Sequence, residues 1–95
     1  MVKLPGYMGA LEQCQIKLVP MPLGEWGEMF YDDQLIVISS RISLPDQLRT
    51  LLHECLHWRW PNRSEQQIVN LETTKWARLR PHELLALLVA LYPGV

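Results

Sequence analysis

Hydrophobic residues along this chain change their period once, near its middle. From Gln13 to Leu18 they alternate, with Cys14, Ile16 and Leu18 set against Gln13, Gln15 and Lys17, which predicts a half-buried strand. Pro20 and Pro22 end it. Trp26 to Tyr31 predicts a second short strand with Asp32-Asp33 as its turn, and Leu35-Ile36-Val37-Ile38, apolar and largely β-branched, predicts a third. Beyond Ser43 the helical period takes over. Ser43 is a candidate cap with Pro45 and Asp46 in the first turn, and the helix is expected to run to Trp58 or Trp60. Pro61-Asn62-Arg63 breaks the chain, and Ser64 with Gln67 forms a capping box for a second helix reaching about Leu79. Pro81 opens a third, His82 to Tyr92, closed by Pro93-Gly94. Residues 1–10 are expected to form an irregular arm. The order implies an α+β fold: a small, three-stranded, mostly antiparallel sheet followed by three helices.

Composition narrows the class without naming a function. Ninety-five residues make one domain, 1–95, and 48% hydrophobic with 20% charged residues is ordinary globular composition. A formal net charge of -1 gives no general attraction to nucleic acid or to an anionic membrane, so neither partner is expected. No stretch approaches the ~20 apolar residues that span a bilayer, and Met1 to Ala10 lacks a signal-peptide core, so a cytoplasmic location is expected. Cys14 and Cys55 are then expected to be free thiols. The third helix, Leu84 to Leu91, is apolar almost all round, which suggests a homodimer contact or a docking surface on a larger assembly.

The chemistry lies in His53-Glu54-Cys55-Leu56-His57. Histidines four apart on a helix stand about 40° apart around its axis, so both imidazoles reach one metal ion. Composition alone would produce this pattern with an expectation of roughly 0.005 in a chain of this make-up. Zinc bound there would bring the pKa of its water toward ~7, and Glu54 is placed to accept that water's proton. The motif also sits on the polar side of its helix. Leu48, Leu51, Leu52, Cys55 and Leu56 occupy one arc, whereas Asp46, Thr50, His53, Glu54 and His57 occupy the other. A catalytic zinc takes three protein ligands. Candidates for the third are Glu65, Glu72, His82 and Glu83, with Glu65 preferred because a helix folding back after Pro61 brings it to the metal, and Glu72 in reserve on the same face. Trp58, Trp60 and Trp76 are expected to pack the helix pair, Trp58 or Trp60 being the ones that could reach a cleft mouth. Tyr31, Tyr92 and His82 are candidates to steady an oxyanion.

Leu51 to His57, then Pro61, then Ser64-Glu65 opening a helix, resembles the short zinc metallopeptidases of phage and prophage genomes and the wider minimal-gluzincin type. The resemblance covers roughly residues 13 to 80 in element order and is residue-specific only over about 48 to 72. It implies His53 and His57 as zinc ligands, Glu54 as base, a downstream glutamate as third ligand and a peptide or protein as substrate. It also implies that the strand at Leu35 to Ser40 borders the cleft, and it places the protein in a host cytoplasm. The Asn-Glu-x-x-Ser-Asp motif of larger gluzincins has no counterpart here. Two other readings stand beside the peptidase: a catalytically silent zinc-binding structural or adaptor protein, and a nucleic-acid-binding module using the helix pair as reader.

Overall fold

A computed structural model describes residues 3–94. A 3-10 turn, Gly6–Gly9, runs into a short helix α1, Ala10–Gln13, ahead of strands β1 (Gln15–Val19), β2 (Gly27–Phe30) and β3 (Leu35–Ser39). Three helices follow: α2 (Leu44–Arg59), α3 (Glu65–Ala77) and α4 (Pro81–Leu91). The fold is α+β, with four helices where three were expected.

The extra helical segment replaces the expected irregular arm. Tyr7, Met8 and Ala10 are buried, so this segment closes the end of the core and is held by apolar burial. Gly9 makes this fit, because a Cβ there would stand 3.0 Å from Trp58 Cη2. Trp58 therefore packs on the N-terminal segment.

The strand order is β1-β3-β2. β3, the most apolar strand, takes the centre; it pairs parallel with β1 and antiparallel with β2. The expected mostly antiparallel sheet is thus mixed. Alternation along a strand reports its faces and says nothing of its neighbours, and the long connection after Val19 lets β2 be laid down outside the place that β3 then fills. The hairpin turn Tyr31 to Gln34 needs a left-handed residue, which Gln34 supplies at φ 49°.

Ile36, Ile38 and Met29 face α2, whose Leu48, Leu51, Leu52, Cys55 and Leu56 complete the core with Ile68 of α3 and Leu87 and Leu91 of α4. Caps formed as the sequence implies: Ser43 accepts from the Asp46 amide, and Ser64 and Gln67 make the reciprocal capping box. Both cysteines are free and buried, and burial pushes both thiols upward, which keeps them unreactive. Leu84, Leu85 and Val89 of α4 remain exposed. No helix among the described residues is long and apolar enough to cross a membrane.

Candidate metal centre

The polar side of α2 does not face open water. β2 covers it from one side and α3 from the other, leaving a cleft of about 530 Å³ floored by Arg49, Thr50, His53, Glu54 and His57. One wall is Trp26 to Met29 with Tyr31, and the other carries Glu65 and Glu72. Gly27 sets the width. A Cβ there would lie 2.7 Å from Thr50 Cγ2 and 3.1 Å from the Val37 carbonyl oxygen, so only glycine lets β2 approach α2 this closely.

Within the cleft one ligand atom each of His53, His57 and Glu65 lies within 4.8 Å of the other two. The Nε2 atoms of the two histidines are 3.1 Å apart. Glu65 bridges them, Oε1 at 2.8 Å from His53 Nε2 and Oε2 at 2.8 Å from His57 Nε2. Donors placed 2.0–2.1 Å from one tetrahedral ion would stand about 3.3 Å apart. The observed triangle is a few tenths tighter, a difference that the exposed Glu65 side chain can absorb. Lone pairs aimed at one point repel unless a cation or shared proton lies among them, so the donor set suits a divalent ion of zinc's size and ligand preference.

Glu72 has a different place from the one held in reserve for it. Its Oε1 lies 2.7 Å from His53 Nδ1, and its Oε2 takes a hydrogen bond from Arg49 Nε. Glu72 is placed to accept a proton from His53 Nδ1, and in that tautomer the Nε2 lone pair faces Glu65 and His57. Glu72 contacts a candidate ligand and is not itself one of the converging three. The spacing explains this: seven residues keep Glu65 and Glu72 on one face of α3 but separate them by about 10 Å along it, so one ion cannot sit beside both.

Glu54 is almost fully buried, at 7% exposure, next to this triangle. Burial is the main cause that raises its carboxyl from 4.5 to about 7; His53 opposes the shift, and Glu65, Glu28 and Glu72 add to it. Among the described residues no side chain is hydrogen-bonded to Glu54, and no buried polar atom is orphaned, so its carboxylate opens on the cleft. Tyr31 donates its hydroxyl to the His57 carbonyl at 3.1 Å. Burial, then Glu54 and Glu65, hold its phenol above the ordinary value, so it stays a donor.

Other candidates fall outside the cleft. His82 lines a separate shallow depression with Lys3 and Arg80, Glu83 accepts from the Arg80 amide, and Tyr92 bonds Gln47 at 2.6 Å. Trp60 lies between the Arg59 and Arg63 guanidinium groups, 5.2 and 5.1 Å from its ring. It is Trp26 that reaches the cleft. The strand that borders the cleft is β2, not Leu35 to Ser40, because β3 is flanked on both sides. Ser39 donates to the Trp26 carbonyl, so antiparallel alternation turns the backbone groups of Gly27 and Met29 away from β3, toward an open edge. Thr50 was expected on the polar arc of the helix, whereas Arg49 was not singled out from the sequence, although it stands four residues before His53 and so on the same helix face. No family model, curated protein or solved structure matches the chain.

Proposed function

We propose that this chain is a zinc-dependent peptidase, with His53, His57 and Glu65 as metal ligands and Glu54 as general base. The observation that carries the reading is the convergence of two imidazole nitrogens and a carboxylate within 4.8 Å, beside a buried glutamate that opens on the same cleft. Zinc bound there would act as a Lewis acid toward a carbonyl oxygen and bring a water's pKa toward ~7. Every further contribution belongs to the chain. Glu72 holds His53 in the tautomer that offers Nε2. Glu54, with a proton affinity near neutral, takes the proton from the attacking water and passes it to the leaving amine. Tyr31, at the cleft wall, is the donor placed to steady the oxyanion, in exchange for its bond to the His57 carbonyl. The free edge of β2 suits an extended peptide paired through Gly27 and Met29. A second copy meeting the exposed Leu84, Leu85 and Val89 is proposed as the homodimer contact.

Metal analysis combined with Glu54→Gln tests the function. Protein purified without chelators should contain about one zinc per chain, His53→Ala and Glu65→Ala should lose most of it, and Glu54→Gln should keep it. Hydrolysis of a peptide library by the wild type should fall by about 10²–10⁴-fold in Glu54→Gln. Zinc present without any hydrolysis would make this a structural site. Zinc absent from the wild type would overturn the assignment altogether.

A further inference from the structure

The cleft has two ends, and α2 sets their order. His57 and Tyr31 stand at one end, Arg49, Thr50 and Gly27 at the other, with His53 between. Arg49 precedes His53 by four residues on the same face, about 6 Å along the helix axis. Apart from the two histidines, every other titratable side chain lining the cleft is acidic or phenolic: Glu28, Glu54, Glu65, Glu72 and Tyr31. Arg49 is therefore the one fixed cation among the lining residues.

Its guanidinium is only partly used. Nε donates to Glu72, and Cζ lies 5.8 Å from the centre of the Trp76 ring. These two contacts hold one edge and one face, while 40% of the side chain stays exposed. Among the described residues no other acceptor takes a hydrogen bond from it. A guanidinium has five N–H donors in a planar fork that matches a carboxylate, and orienting Glu72 occupies one edge of that fork. The rest is unspent, on a group pre-positioned by Glu72 and Trp76 in a cleft of about 530 Å³, a size that holds a small ligand.

We propose that Arg49 anchors a carboxylate of the substrate, so that the site takes short peptides bearing a carboxylate one or two residues beyond the bond at the metal centre. The spacing follows from the 6 Å offset, since an extended residue spans about 3.3 Å. The statement about the bond rests on the peptidase reading; the statement about the carboxylate does not. A free C-terminus and an Asp or Glu side chain supply the same chemistry, and three probes separate them: N-acetyl-glycyl-leucine, its C-terminal amide, and N-acetyl-glycyl-glutamic acid α-amide.

Binding of the probes is followed by NMR titration of the Glu54→Gln protein, zinc-loaded and metal-free, with Arg49 intact and as Arg49→Gln. With Arg49 the free acid should bind about tenfold tighter than the amide, as a charge-assisted contact provides, and with Arg49→Gln the ratio should fall below about twofold. A glutamate probe that follows the acid shows that the anchor takes a carboxylate from either source; one that follows the amide restricts it to a free C-terminus. The metal-free arm keeps the ratio readable if Arg49→Gln weakens zinc binding. Equal binding of acid and amide with Arg49 intact overturns the proposal. So does an acid preference that survives Arg49→Gln, since the carboxylate would then sit on the metal. Binding is read without turnover. A wild type that hydrolyses nothing sinks the peptidase reading and leaves the anchor standing, and the converse result does the reverse.

Discussion

The two sides of α2 are built from alternating residues of one segment, yet they meet opposite fates. Leu48, Leu51, Leu52, Cys55 and Leu56 on one side pack into the core, and their burial favours folding. Thr50 and Glu54 on the other are buried nearly as deeply, at 8% and 7% exposure, but burying a carboxylate opposes folding unless it is neutralised. The first side contributes stability and the second is carried by it. A region that pays this desolvation cost, beside two histidines and a glutamate gathered around one point, is organised for binding more than for holding the chain together.

Substitutions on the two sides should therefore diverge. Leu52→Ala, in the core, should lower unfolding free energy by about 2–5 kcal/mol in denaturant titrations while leaving zinc stoichiometry intact in the folded fraction. Glu54→Gln should raise the stability of the metal-free protein and likewise leave zinc binding intact. With its pKa raised to about 7, folded Glu54 retains a proton between pH 4.5 and 7 that the unfolded chain has released, so metal-free stability falls as pH rises through that window. Replacing it by glutamine should remove this slope and stabilise the metal-free protein above pH 7 by on the order of 1–3 kcal/mol. Thermal melts of both proteins across pH 4 to 8 measure it, and parallel curves would contradict the burial argument.

Smaller effects sharpen the contrast. Glu72→Gln should weaken zinc affinity by about 10- to 100-fold in competition with a chelator, with the melting temperature of the metal-free protein little changed, because Glu72 orients His53 and packs no core. Gly27→Ala lies on the seam between the two sides. Its methyl would meet Thr50 and the Val37 carbonyl, costing about 1 kcal/mol of stability and prising β2 from α2. Peptide binding should weaken more than zinc binding, and equal losses in both would mean that Gly27 does not set the cleft width.

Much of this was legible from the chain because it depends on neighbours a few residues apart. Ser43 and Ser64 cap their helices, Pro61 and Pro81 break and start them, and the 3.6-residue period puts His53 and His57 on one face with Leu52 and Leu56 facing the core. Each is decided within one or two helical turns. The same locality supports Glu54 beside the first histidine and places Glu65 at the opening of the following helix.

What the chain alone could not decide depends on pairings between distant segments. Alternation marked three strands but left open that β3 would stand in the centre and that β2 would form the edge of the cleft. Glu65 and Glu72 share a helix face, and only the way α3 lies against α2 sends one to the converging nitrogens and the other to His53 Nδ1 and Arg49. Tyr31 reaches the cleft because the β2–β3 hairpin ends beside His57, twenty-six residues later in the chain. The motif's spacing is a property of one helix. The surroundings that bury Glu54, orient His53 and leave Arg49 with unspent donors arise from packing, which no single segment encodes.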